Sequence, residues 1–307
     1  MAKPLRVFLL AAICVSTPCS GRTADLRFEP ASAYLGSFST LNPLESAVSP
    51  AKVSVRIQAD RPWRLEVRLR EPLRRTDDRL ALPTTRVWNS PAASAPSFTL
   101  EPRVIMSGPG TRGSAETLEW RDLAKAVEAY LELADPPGTY QGTLMGRLLD
   151  SSGAPLTGQV SMSIQFDVAR WVEIVDDDVP EFSVAVGDET IDSESPMAAV
   201  RLISNTSWTL FISGDPARPP HKTAALAPGT LTACAPIDGA GGWRLLKSGC
   251  APLGAEPVAL ITGEAPPPFS VSNQEIPIVV RYRTAQSVPA GAYGSAVRFI
   301  AKIGVPP

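Results

Sequence analysis

An all-β protein of two β-sandwich domains in tandem is what this sequence predicts, and three observations carry that prediction. Two blocks of sequence recur in the same order. Inside those blocks apolar and polar side chains alternate with period two, the signature of a half-buried strand. Proline and glycine are plentiful, at 31 and 22 of 307 residues, which suits many short strands joined by turns better than long helices.

The first block is Val53–Val67 (VSVRIQADRPWRLEV), which aligns without gaps on Ala198–Ile212 (AAVRLISNTSWTLFI) at an offset of 145 residues. Val55 falls on Val200, Trp63 on Trp208 and Leu65 on Leu210. The second is Asp135–Leu148 (DPPGTYQGTLMGRL), which aligns on Val288–Ala301 (VPAGAYGSAVRFIA) at an offset of 153, with Tyr140 on Tyr293. Matched order at near-equal spacing argues for two copies of one domain. The length suits two units, since domains commonly run to 100–200 residues. A hydrophobic fraction of 44% with 20% charged residues is a globular composition, not a disordered one.

Taken in chain order, residues 1–21 read as an export signal. Lys3 and Arg6 precede a nine-residue apolar run, Val7–Val15, too short to span a bilayer. A lipid anchor at Cys14 or Cys19 is the less favoured reading, because Ile13 and Pro18 stand where a small residue is expected. No later stretch is apolar enough for a transmembrane span. The first domain is placed at 22–175. In it Val53, Val55 and Ile57 alternate with polar neighbours, Asp60-Arg61-Pro62 turn the chain, and Trp63, Leu65, Val67 and Leu69 resume the alternation. The second block is expected to be a hairpin about the Pro-Gly turn. LAKAVEAYLEL, ahead of it, has helix-favouring residues, but its counterpart IPIVVRYRT is rich in β-formers, so the repeat predicts strand. The segment VSMSIQFDVARWVEI has no counterpart after the second copy; it is expected to pack on the first domain's edge or to bridge to the second. The acidic stretch WVEIVDDDVPEF marks the boundary, and the second domain is placed at 176–307.

Candidate sites are few. Export leaves Cys234 and Cys250 in the mature chain, and an even count in an oxidising compartment predicts a disulfide across the glycine-rich loop between them. Trp63, Tyr140, Trp208 and Tyr293 are expected as equivalent core residues, since the alternation puts both tryptophans on the apolar face. Trp88, Trp120 and Trp243 are the candidates for exposed sugar platforms, Trp243 in particular. Asp176, Asp177 and Asp178 offer hard oxygen ligands for calcium, without the spacing of an EF-hand loop; a solvated linker fits as well. Arg64, Arg68, Arg70, Arg74 and Arg75 could form an anion-binding patch for phosphate or acidic polysaccharide. Their alternation also fits the outer face of an edge-accessible strand, where charge blocks aggregation. His221 is the single histidine, and no serine near it sits in a nucleophile elbow. Asn205-Thr206-Ser207 is a glycosylation sequon at a strand-turn position. A net charge of -2 supplies no general attraction to nucleic acid, and no cofactor is expected.

The blocks PPGTYQGTLMGRL and VPAGAYGSAVRFI resemble the final hairpin of bacterial fimbrial and spore-coat-protein-U-type domains, which end in a proline-glycine turn, a tyrosine and an alternating strand. That resemblance implies an immunoglobulin-like sandwich, completed in pilins by a strand from a neighbour or chaperone. This chain differs in carrying two copies and in having no cysteine pair in the first. With export, it implies a secreted, periplasmic or cell-surface protein, whose partners are other cell-surface or pilus proteins, or polysaccharide. A non-enzymatic structural or adhesive role is favoured, then a secreted carbohydrate-binding module, then a hydrolase, for which no carboxylate pair stands out.

Overall fold

The computed structural model describes residues 24–42, 47–48, 52–83, 100–120, 123–175, 181–186, 192–195, 197–214, 231–235, 242–246, 249–283 and 291–304. The elements of the first half are β1 (Asp25–Glu29), β2 (Ser32–Phe38), β3 (Ala47–Val48), β4 (Ser54–Gln58), β5 (Trp63–Leu69), β6 (Arg74–Arg75), β7 (Arg103–Gly108), β8 (Glu116–Glu119), α1 (Leu123–Tyr130), β9 (Gly138–Leu149) and β10 (Val160–Val168). Those of the second are β11 (Val172–Ile174), β12 (Glu181–Val186), β13 (Asp192–Glu194), β14 (Ala198–Ser204), β15 (Trp208–Gly214), β16 (Leu231–Cys234), β17 (Trp243–Leu245), β18 (Cys250–Pro252), β19 (Val258–Gly263), β20 (Ser272–Arg283) and β21 (Gly291–Ile303).

Each half is two sheets closed over one core, an immunoglobulin-like sandwich. In the first, the sheet β1-β4-β8 faces the sheet β3-β2-β10-β9-β5-β7, with β6 added on β9. Leu26, Phe28, Val55 and Ile57 from one sheet meet Leu65, Val67, Leu144 and Ile164 from the other. In the second, β11-β14-β20-β16-β18, with β13 added on β20, faces β12-β21-β15-β19-β17. Val200, Leu202, Ile276 and Ile278 meet Trp208, Leu210, Leu260 and Val297 across its core.

The repeat seen in sequence reappears as hydrogen-bond register. Leu65 lies opposite Leu148 in the first half, and Leu210 opposite Ala301 in the second. Both members of the pair have moved by their own block's offset. A third block, not visible beforehand, pairs with the same strands. In β7, Gly108 lies opposite Trp63 and Met106 opposite Leu65, and a bulge follows. In β19, Gly263 lies opposite Trp208 and Ile261 opposite Leu210, with a bulge at the same step. RVIMSG and VALITG thus correspond, Ile105 and Leu260 being the extra residues. In both copies the indole lies across the glycine. A Cβ on Gly108 would stand 2.6 Å from Trp63 Cζ2, and one on Gly263 would stand 2.1 Å from Trp208 Cε2, so no larger residue fits unless the ring moves.

Two local expectations are corrected. LAKAVEAY is helix α1, not strand. Leu123, Ala126, Val127 and Tyr130 are buried against the first core; this i, i+3, i+4, i+7 stripe, in a segment of good helix formers, outweighs the analogy with β20. The second repeated block is also not a hairpin. In the first half it joins a helix to β9. In the second it joins β20 to β21, which belong to opposite sheets. It is the corner of a sandwich: the Tyr140 hydroxyl donates to the Pro136 carbonyl at 2.9 Å, the tyrosine-corner bond that fixes such a crossing.

The segment without a counterpart packs on the first domain and bridges to the second, but it does not lie at the first domain's edge as expected. β10 is central in the first sheet, antiparallel to β9 and parallel to β2. β11 then pairs with β14, so hydrogen bonding passes to the second half before the sequence-placed boundary at 175. In the second half the place beside β21 corresponding to β10 is taken by β12. Phe166 lies opposite Tyr140, and Val184 opposite Tyr293. β12 precedes β21 in the chain, whereas β10 follows β9. The halves are tied by Asn205, 3% exposed. Its Oδ1 accepts from Trp171 N at 2.9 Å and its Nδ2 donates to Ala169 O at 3.0 Å. Trp171 Nε1 in turn donates to Thr40 Oγ1 at 2.9 Å. The sequon asparagine is therefore spent inside the protein.

Candidate functional site

β5 presents alternate faces. Trp63, Leu65, Val67 and Leu69 point into the core, and Arg64, Glu66 and Arg68 point away from it. β5 is not an edge strand, however: β9 and β7 flank it. Its arginines therefore do not guard an edge, which corrects that half of the sequence reading. They form a stripe on the outer face of the sheet. Glu66 is engaged with Arg147 at 2.6 Å. Arg64, Arg68 and Arg70 have no ion pair among the described residues.

The two arginines of β6 part company. Arg75 is committed to structure. Its Nε donates to Asp78 Oδ1 at 3.0 Å and its Nη1 to the Pro137 carbonyl at 3.0 Å, and its stem lies over Gly138, whose φ is 143°. The hydrogen bond to Asp78 raises the Arg75 pKa above its ordinary value, and Arg75 holds the Asp78 carboxyl well below the usual carboxylate range. Arg75 thus pins the corner turn and is not open to a ligand. Arg74 faces outward, 3.7 Å from Glu71, with Nη1 donating to the Arg79 carbonyl at 3.3 Å.

Arg74, Arg79 and Glu71 form one wall of a cleft of about 300 Å³. Its floor is the outer face of β2, β10 and β9, where Gln141, Thr143, Ser163, Gln165 and Ser32 lie. Register assembles this floor. Arg74 is opposite Gln141, Gln141 opposite Gln165, and Gln165 opposite Tyr34. Tyr34 is 43% exposed. Its hydroxyl donates to Asp167 Oδ2 at 2.6 Å, and Thr139 Oγ1 donates to Asp167 Oδ1, also at 2.6 Å. The bond to Asp167, with a smaller part from burial, pushes the Tyr34 pKa up to about 12. The ring is thereby fixed at the end of the row away from Arg74. Sequence reasoning found Arg74 but missed Tyr34, Gln141, Gln165 and Glu71. The polar outward positions of three alternating segments were the available signal, but only register brings them together.

The remaining predicted residues are placed as follows. Trp63, Tyr140 and Trp208 are buried in the two cores, and both indole N–H groups are enclosed without a hydrogen-bond partner. Tyr293 holds the register position of Tyr140. Trp243, a candidate for an exposed platform, is only 7% exposed, because β17 pairs with β19 and places it opposite Gly263. Trp120 is buried beside Phe28, with ring centroids 6.2 Å apart. Cys234 and Cys250 form the disulfide, opposite each other on β16 and β18 with Cα atoms 4.1 Å apart. Residues 1–21, Trp88, Asp176, Asp177, Asp178 and His221 lie outside the described residues.

Fold, disulfide and cleft together define an all-β, immunoglobulin-like sandwich protein with a polar recess on one sheet. No family model matches the chain, and no curated protein matches it. Among solved structures it is similar to the CsuC-CsuE chaperone–tip adhesion subunit pre-assembly complex from archaic chaperone-usher Csu pili of Acinetobacter baumannii. The identity is 10%, the match covers 89% of this chain and 97% of that one, and the TM-score is 0.40. A mutant of the CFA/I adhesin CfaE of enterotoxigenic E. coli matches at 10% identity over 92% and 82% of the two chains, with a TM-score of 0.26. A structure of carbohydrate-binding modules from the beta-sandwich superfamily matches at 12% identity over 91% and 97%, with a TM-score of 0.15. Among the described residues no helix is long and apolar enough to cross a membrane.

Proposed function

We propose that this chain is a non-enzymatic adhesive or structural component of a bacterial cell-surface or pilus-like assembly, exported by a signal at residues 1–21 and working outside the cytoplasm as domains 22–175 and 176–307. One contrast carries the reading. The halves repeat one scaffold in register, yet the outer face of the strand they share has diverged. In β5 it displays Arg64, Glu66 and Arg68. The matched positions of β15 are Thr209, Phe211 and Ser213, and both Thr209 and Ser213 are buried. A duplicated core with one charged, open face is what a contact module on a support requires. The disulfide Cys234–Cys250 supports an oxidising compartment. The test is to label intact cells of the native host with an antibody to the protein, and to compare attachment of a deletion strain with its parent. Surface labelling with reduced attachment or loss of the surface assembly is expected. A cytoplasmic protein, or a deletion strain that attaches and assembles normally, overturns the proposal.

A second reading, a secreted carbohydrate-binding module, is favoured by the cleft beside Arg74. The two are compatible where the surface being gripped is a polysaccharide.

A further inference from the structure

We infer that the outer face of the first sheet is a binding site for an acidic polysaccharide, one whose sugars carry carboxylates. The inference rests on the adhesive reading and names what the adhesin would hold. Tyr34, Gln165, Gln141 and Arg74 stand on four neighbouring strands. At the usual inter-strand spacing they make a row of roughly 14 Å, the reach of a short oligosaccharide.

The row has the chemistry of a sugar site. Gln141 and Gln165 each present a donor and an acceptor, and Ser32, Ser163 and Thr143 beside them present hydroxyls. Such a set suits a ligand that both donates and accepts, as vicinal hydroxyls do. A bare phosphate has no vicinal hydroxyls and no C–H face to fill such a row. Glu71 in the same wall can accept from a hydroxyl. Tyr34, its hydroxyl held by Asp167, supplies a preset apolar ring face for the C–H face of a sugar.

Charge selects among sugars. Arg74 and Arg79 border the cleft. Arg70, Arg68 and Arg64 continue the positive stripe along β5, so a chain lying over the amides meets guanidinium groups at one side. Guanidinium pairs with carboxylate in a fixed bidentate geometry. The site thus matches a repeating uronate better than a neutral glycan.

The probes are polygalacturonate, dextran sulfate and neutral dextran, titrated against the mature full chain at physiological salt by calorimetry and affinity electrophoresis. Polygalacturonate is expected to bind and neutral dextran not to bind. The double variant Gln141→Ala/Gln165→Ala keeps the net charge and changes only outward-facing side chains. It should weaken polygalacturonate binding at least tenfold while leaving the thermal midpoint unchanged. Tyr34→Leu should weaken it as well, and serves should the double variant fail to fold. Binding that is indifferent to the amides and to Tyr34, or that favours dextran sulfate with the same indifference, would reduce the face to non-specific charge and overturn the inference. So would the absence of polygalacturonate binding. The two proposals fail separately. A surface protein whose amide variant binds and adheres like wild type sinks only the sugar site. A protein that is not on the surface but binds polygalacturonate through these residues sinks only the adhesive reading.

Discussion

Gly263→Ala tests the packing that the two halves share. The added Cβ would stand 2.1 Å from Trp208 Cε2 and 2.4 Å from Cζ2 and Nε1, well inside van der Waals contact. Trp208 is 0% exposed, and Trp243 stands opposite the same glycine on the far side. The indole must therefore shift by about an ångström in a filled core, an overpacking cost of about 1–3 kcal/mol. Against this, alanine lowers the entropy of the unfolded chain, which returns about 0.4–1 kcal/mol. The net expectation is a loss of about 1–2 kcal/mol, or a fall of roughly 2–8 °C in the midpoint for a unit of this size. Gly108→Ala meets a milder approach, 2.6 Å to Trp63 Cζ2, on a strand at the edge of its sheet, and should cost less. Gly158→Ala, with nothing within 4 Å of its Cβ, is the control and should be near neutral. Differential scanning calorimetry of the three variants gives the ranking. A Gly263→Ala protein as stable as wild type, or a Gly108→Ala protein less stable than it, would refute the shared tryptophan–glycine pairing as the constraint.

Three other outcomes are expected. Replacing both Cys234 and Cys250 by serine should cost about 3 kcal/mol by the chain-entropy model, confined to β16, β18 and the loop they close; hydrogen exchange should show the first half unaffected. Tyr34 should give its phenolate absorbance near pH 12, because the hydrogen bond to Asp167 favours the neutral phenol. The folded value lies above the unfolded one of about 10, so its contribution to stability is intact below pH 10 and is lost as pH rises through 12; Asp167→Asn should bring the titration back towards 10, and a wild-type Tyr34 titrating near 10 would contradict the bond. Asn205→Ala removes both hydrogen bonds that its amide makes to the 169–171 segment, and should cost about 1–3 kcal/mol and expose that segment to limited proteolysis; unchanged cleavage would show that the amide does not tie the halves.

The strands β4, β5, β14 and β15 were legible because period two and a shared tryptophan mark them in both copies. The disulfide was legible from compartment and count. The third repeated block was not, because RVIMSG and VALITG share only the glycine at matched positions, and what they conserve is a register and a bulge. The helix was misread because its counterpart is a strand; local propensity was the better guide there. The corner was misread as a hairpin because a Pro-Gly turn looks the same whether it folds a strand back or carries the chain across the sandwich. The cleft lay out of reach for another reason. Gln141 and Gln165 are ordinary outward residues of two strands, and Tyr34 lies far upstream, so only the pairing of β2 with β10 and of β10 with β9 makes them neighbours.

The placement of β12 gives the two halves different histories. In the first, the strand that seals β9 is the next one made, so the pair can close as soon as both exist. In the second, the sealing strand emerges early and its partner β21 comes at the far end of the half. The β12–β21 pair therefore closes a far longer loop than the β9–β10 pair, with a larger entropic cost of closure. The seam of the second sandwich thus draws together segments from opposite ends of that half, whereas the seam of the first joins neighbours in the chain.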